Sequence, residues 1–225
     1  MATRPIFIPT PNSEELFKEE SIDFQYYNGF AVSQKQKCIK SLHVNAANKG
    51  YRNILEVSTK SEILLGQKLS AFSLQIETED LGLISLESAF QGSKVFVDGG
   101  PYTDIYEKDS LSAKRDERLK SSGDLQAFEF EGTIWGLEPK SAFYDWIYTK
   151  ALCLHVEYIK YNLIKYDAFT DIEFNPKKSI NCQARTCAII VSLIKMDLLN
   201  KAMRSPEDFI EVVYKKELVQ SSFEF

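Results

Sequence analysis

Histidine and cysteine are scarce in this 225-residue chain: His43 and His155 are the only histidines, and Cys38, Cys153, Cys182 and Cys187 the only cysteines. The cysteines form no CxxC pair and have no histidine at a ligand interval, so a zinc site is not expected. Free thiols that pack in a core, in a reducing compartment, are the expectation instead. Neither histidine stands in a recognisable Ser or Cys motif, which leaves no nucleophile triad to read. Glycine-rich phosphate loops of the GxGxxG and Walker kinds are missing, so dinucleotide-binding and NTPase classes have no support, and no cofactor is expected. Positive charge is not in excess either: 27 Lys and Arg face 32 Asp and Glu, for a net charge of -5. That argues against a protein that coats nucleic acid through phosphate charge, but allows one that meets it along a local basic rim. The longest apolar run, 187–194, is far too short to span a bilayer, and Met1 is followed by Ala-Thr-Arg-Pro, not by an apolar signal. A cytoplasmic protein without membrane contact is expected.

What the chain does have is apolar and aromatic residues, 44% and 12% of the total, spread along its whole length. These suffice for a real core and suit one large domain, residues 1–225. Residues 1–12 hold Pro5, Pro9 and Pro11 and read as an extended arm. Asn12-Ser13 offers a cap for a short helix to Glu20, and the Phe- and Tyr-rich 22–32 stretch predicts a strand. Ser33 is placed to cap a helix over 33–48, with Cys38, Ile39, Leu42 and Ala46 on its inner face. Short strands are expected at 53–58, 127–135 and 166–174, and an acidic surface loop at 77–80. Helices are expected over 141–161 and from Ser179 or Asn181, the latter with Ala184, Cys187, Ala188, Val191 and Ile194 inward. Ser205-Pro206-Glu207-Asp208 is a strong start for a last helix, 206–218. The fold class is α+β: a single helix-dominated domain with short β-strands.

The stretch 86–98 carries the most distinctive pattern. Read as a helix ended by Gly99-Gly100-Pro101, it aligns Glu87, Gln91 and Lys94 on one stripe and Leu86, Phe90, Ser93 and Val97 on another. Lys35 and Lys37 fall in the first turn of the 33–48 helix, where the helix dipole disfavours cations. They are therefore either well solvated or serve an anion. The run Lys114, Arg115, Arg118 and Lys120 is a solvated face or a rim for phosphates. Asp145 sits among aromatics and needs a partner or a proton. The first turn of the helix after Ser179 gathers Asn181, Gln183 and Arg185 at backbone N–H groups that favour an anion such as pyrophosphate.

The block Glu87-Ser88-Ala89-Phe90-Gln91-Gly92-Ser93-Lys94 resembles the Glu-X-X-(Phe/Tyr)-Gln-X-X-Lys helix of the NADAR/YbiA superfamily. The chain is most similar there to the NADAR proteins encoded beside DarT toxins. Ser33 to Lys37, Leu69 to Phe72, Gly99 to Tyr102, Phe143 to Trp146 and Phe174 to Arg185 match in order, over residues 30–195 or so. Two departures stand out. The family's usual His after the helix Glu is Ser88, and its later Asp…Trp-Gly element has no counterpart.

The resemblance implies an ADP-ribosyl-guanine glycohydrolase that acts as antitoxin to a DarT-type DNA ADP-ribosyltransferase. Its substrate is ADP-ribosylated DNA and its product ADP-ribose. Cleaving an N-glycosidic bond passes through an oxocarbenium-like state, which needs negative charge near the sugar, an oriented water and help for the leaving nitrogen. Glu87 can supply the first two. Lys35 or Lys94 can protonate the leaving group, pair with Glu87, or attack the anomeric carbon to give a transient Schiff base. Gln91, Tyr102, Arg115, Tyr144, Asp145, Trp146, Asn181, Gln183 and Arg185 are the candidate substrate contacts, with Tyr144 and Trp146 able to stack on a base. Two alternatives stay open: an N-glycosidase of a small nucleotide-like metabolite, and an antitoxin that blocks the toxin by binding alone.

Overall fold

A computed structural model describes residues 1–11 and 13–221, with the backbone alone for 216–221. The chain divides into two compact units: residues 1–70 together with 155–225, and residues 71–154 inserted between them. The first unit begins with β1 (Ala2–Pro9), β2 (Phe17–Phe24), α1 (Val32–Ala47), β3 (Ile54–Glu56) and α2 (Leu64–Lys68). The inserted unit holds β4 (Gln75–Thr78), β5 (Gly82–Ser85), α3 (Leu86–Gly92), β6 (Lys94–Phe96), a 3-10 turn at Thr103–Glu107, α4 (Ser110–Lys114), α5 (Arg118–Ser121), β7 (Leu125–Phe130), β8 (Thr133–Trp135) and α6 (Ala142–Cys153). The chain then closes the first unit with α7 (Val156–Leu163), β9 (Ala168–Thr170), α8 (Gln183–Lys195), α9 (Leu199–Ala202) and α10 (Pro206–Ser221). The fold class is α+β, helix-rich with short strands, as the sequence implies. Among the described residues no helix is long and apolar enough to cross a membrane.

In the first unit a four-stranded sheet runs in the order β2-β1-β9-β3. Ile6 and Phe7 are adjacent on β1 and both are buried, so both faces of the sheet are covered. On one side Ile6, Ile22 and Phe24 pack with Cys38, Ile39, Leu42 and Ala46, the inward stripe expected for α1. Phe7 instead packs its ring against Phe17 and Phe174, and α8 lies against β1 and β9. Ser192 of α8 donates to the Leu16 carbonyl and accepts from Thr10 N–H at 3.0 Å.

This arrangement corrects several sequence expectations. Residues 2–9 are an inner strand, not an arm, because β1 pairs along its length with β2 and also meets β9. Residues 17–20, expected in a helix, belong to β2: the long pairing with β1 outweighs a local helix start whose cap residue Asn12 lies outside the described residues. Ser33 is inside α1, which Ala31 precedes without a side-chain cap. Ile194 is only half buried, while Leu193 is fully buried in its place.

In the inserted unit the 127–135 stretch is a hairpin rather than one strand, turned at Glu131-Gly132, both with positive φ. The acidic 77–80 segment, expected as a loop, is the end of β4 and the start of the turn of a hairpin with β5: Glu77 and Thr78 pair with Leu83 and Gly82. The helix expected over 141–161 breaks after Cys153 into α6 and α7. Residues 206–221 form the expected last helix, with non-helical backbone at Tyr214.

Candidate functional site

The central helix is shorter than its sequence pattern suggests. α3 spans Leu86–Gly92, opened by Ser85, whose hydroxyl accepts from Ser88 N–H at 3.0 Å. Its last residue, Gly92, is pressed against Tyr106: a Cβ there would lie 2.5 Å from that ring and 2.9 Å from the Tyr102 carbonyl. The Tyr102 N–H also takes up the Gly92 carbonyl at 2.8 Å. Lys94 therefore starts β6, which pairs with β7, and Val97 is 60% exposed rather than on an inner helical stripe.

Shortening the helix does not separate the three polar residues. Gln91 Nε2 donates to Glu87 Oε1 at 2.9 Å, and Lys94 Nζ donates to Gln91 Oε1 at 2.7 Å. The amide is thus a fixed bridge, its donor end on the carboxylate and its acceptor end on the ammonium. Glu87 and Gln91 are buried. Lys94 Nζ also lies 5.1 Å from the centre of the Phe90 ring. Burial pushes the Lys94 amine below the ordinary lysine value; the Glu87 charge opposes that shift and Lys114 adds to it.

Lys114 is the member that periodicity did not single out. It stands on α4 with Nζ 3.9 Å from Glu87 Oε1 and 4.9 Å from the Phe72 ring centre. Only its place in a basic run marked it. Ser88, where the family pattern has His, is fully buried and donates to the Lys108 carbonyl at 2.7 Å, tying α3 to the next segment.

The rest of the basic run divides. Arg118 is taken up by Asp104 and Asp116, at 2.7 and 2.9 Å from Nη2, and lies over the Tyr102 ring. Lys108 joins Asp116 at 2.6 Å. The Arg118 hydrogen bonds hold the Asp116 carboxyl well below the usual carboxylate range against the opposing effect of burial, with Lys108 adding to the lowering. Tyr102 also hydrogen-bonds Ser122 and is built into this loop anchor. Arg115 remains exposed beside Lys114.

Tyr144, Asp145 and Trp146 are all buried on α6. Tyr144 meets Phe90 edge-on at 5.2 Å, and Trp146 packs on Trp135 at 5.0 Å and against Phe130 and Phe143. Both rings are 8% exposed and packed among other aromatics, so little of either is open to a nucleobase in this arrangement.

Lys35, Asn181, Gln183 and Arg185 belong to the first unit. Lys35 Nζ lies 3.2 Å from Glu173 Oε1, which offsets the cost of a cation at the start of α1. Gln183 is buried, its amide donating to the Val57 carbonyl at 2.5 Å. Gln183 is the first residue of α8, and this contact fixes it at the helix start. Asn181 is partly exposed just ahead of α8, and Arg185 lies with its guanidinium 5.9 Å from the Phe17 ring.

The first unit also holds a buried acidic cluster that was not anticipated. Glu56 accepts from Ser58 Oγ at 2.7 Å and Ile172 N–H at 2.9 Å on Oε1, and from Thr170 Oγ1 at 2.6 Å on Oε2. Thr170 Oγ1 in turn lies 2.8 Å from His43 Nε2. Burial, partly offset by these hydrogen bonds, pushes the Glu56 carboxyl up. Asp171 is raised as well, by burial first and then by Glu56. Burial lowers His43 to about 4, so its ring is neutral at ordinary pH. A glutamate inside the apolar run Asn53-Ile54-Leu55-Glu56-Val57 is the signal that marks it.

Comparison with known proteins adds the chain's relationships. The sequence model of the DarT1-associated NADAR antitoxin family matches residues 2–223. No curated protein matches the chain.

Proposed function

Since the chain belongs to the DarT1-associated NADAR antitoxins, we propose that it hydrolyses the N-glycosidic bond joining ADP-ribose to guanine in DNA. It would thereby reverse the modification made by a DarT-type toxin. The observation that carries this reading is the Glu87–Gln91–Lys94 chain, with Lys114 at its flank. A carboxylate fixed by an amide, with two lysines close by, provides the negative charge that an oxocarbenium-like state calls for and a base to orient water. Water adds to the anomeric carbon, the bond to the guanine nitrogen breaks, and the proton released from water replaces the sugar on the base.

The lysines suit different tasks. A nucleophile must be an unprotonated amine, and burial favours that form at Lys94. Lys35, with Nζ 3.2 Å from Glu173 Oε1 in the first unit, is a candidate phosphate contact. Arg115 and Lys114, on the exposed side of α4, suit the DNA backbone. The cytoplasm, where toxin and DNA meet, is the place of action this reading requires.

The test is incubation of single-stranded DNA bearing ADP-ribosylated guanine with the wild type and with Glu87→Ala, Lys35→Ala and Lys94→Ala. ADP-ribose released by the wild type and lost in Glu87→Ala is expected. No release at high enzyme concentration would sink the proposal. Release from free nucleotides alone would point to a metabolite N-glycosidase, and full protection from toxin by Glu87→Gln to an antitoxin that acts by binding.

A further inference from the structure

A cavity of about 450 Å³ opens in the first unit, away from any residue assigned above. Arg4 of β1, Glu19 and Ser21 of β2, and Asn175 and Lys177 of the loop before α8 are among its walls. The cavity is rich in hydrogen-bond donors. Arg4 Nη1 donates to the Thr3 carbonyl at 3.0 Å, but its Nε is enclosed from solvent and has no partner among the described residues. Any acceptor in the cavity would therefore meet the guanidinium at its terminal Nη groups. Asn175 accepts from the Lys177 N–H at 3.1 Å through Oδ1, and its amide N–H groups have no partner among the described residues. Lys177 is exposed and, like Arg4, makes no ion pair with a described residue. Glu19 is the one carboxylate on these walls, and it is more than 4.0 Å from either cation, the limit for an ion pair.

We propose that this cavity binds a phosphate group of a nucleotide, with Arg4, Lys177 and Asn175 as the donors. Two cations and an amide against one carboxylate favour an anion, and phosphate oxygens accept from guanidinium, ammonium and amide N–H together. The volume exceeds what a lone phosphate needs and is within the range of sites for small organic ligands. Two sources have this chemistry: a phosphodiester of a DNA strand, and the pyrophosphate of free ADP-ribose. The site stands independently of the glycohydrolase reading, because neither ligand has to be cleaved to bind.

The experiment measures binding of a fluorescein-labelled oligothymidylate by anisotropy across a salt series, with ADP-ribose binding followed separately by calorimetry. Wild type, Lys177→Ala, Arg4→Gln and Glu19→Gln full-length chains are compared. Lys177→Ala is expected to weaken binding about two- to fivefold, the scale of one exposed charge pair. For the oligonucleotide its log–log salt slope should also fall by about 0.7, one phosphate on a single strand. Glu19→Gln is expected to tighten binding, which a merely structural role would not produce. Effects confined to the oligonucleotide identify the strand as the source, and effects on ADP-ribose identify the free nucleotide. If Arg4→Gln does not fold, the surface variants Lys177→Ala and Glu19→Gln decide alone. Unchanged affinity for both ligands in those two variants would overturn the proposal.

Discussion

Replacing Glu56 with Gln and with Ala should have very different consequences, and the hydrogen-bond pattern gives their size. Alanine strips the acceptor from three buried donors: the Ile172 N–H and the hydroxyls of Ser58 and Thr170. A buried donor left unmatched costs about 1–3 kcal/mol. The amide cannot turn away and bears the full cost, while the hydroxyls can rotate, so Glu56→Ala should lose about 3–5 kcal/mol. Glutamine keeps Oε1 for Ser58 and Ile172 and presents an N–H to Thr170. Thr170 then turns its own proton to His43 Nε2, 2.8 Å away. His43 can accept it because burial keeps that ring neutral. The loss in Glu56→Gln should therefore stay below about 1 kcal/mol at pH 5.5.

The pH dependence follows from the raised carboxyls. Glu56 and Asp171 have folded values above their unfolded ones. Their contribution to stability is complete below pH ~4, the unfolded range, and declines as pH rises through the folded values. Glu56→Gln removes one of the two groups and its partner's repulsion. Its stability should fall less between pH 5.5 and 8.5 and match or exceed the wild type at the upper end. Urea unfolding followed by circular dichroism at both pH values measures this. A Glu56→Gln variant as unstable as Glu56→Ala at both would refute the proton arrangement, since it would mean that the negative charge itself is required.

Glu87→Gln keeps an acceptor for Gln91, so its melting temperature should hardly move, while ADP-ribose release should drop about a hundred- to ten-thousand-fold. The same variant removes the charge that supports the Lys94 ammonium, so whatever activity persists should shift its rising pH limb downward. Gly92→Ala puts a Cβ against Tyr106 and should cost about 1–3 kcal/mol or more in urea unfolding. Asp116→Asn removes a carboxyl held low by Arg118 and Lys108. The wild type keeps that stabilisation above pH ~4 and loses it as pH falls through the depressed value, so the variant should be less stable at pH 7 and flatter in an acid titration.

How much of this was legible in the sequence depended on how local the cause is. The α+β class, the inward stripe of α1 and the start of α10 follow from periodicity and end signals, which act within a few residues. The Glu87–Gln91 contact is of the same kind, four residues apart on one helix. Lys94 reached its expected partner by a route the helical pattern does not contain, because pairing of β6 with β7 ends α3 early. Lys114 arrives at Glu87 from α4, and no spacing rule links residues 27 positions apart. The inward turn of Trp146 was likewise set by the aromatic partners brought to it from β7 and β8.

The N-terminal strand shows the same division in the backbone. Proline content marks residues 2–9 as extended, which is a local property. That they are an inner strand depends on β2 on one side and on β9, more than 150 residues along the chain, on the other. Short-range sterics and spacing therefore determined which residues are extended, helical or paired along one turn. Long-range hydrogen bonding and packing decided which of them meet, because those contacts depend on chain segments that sequence proximity does not connect.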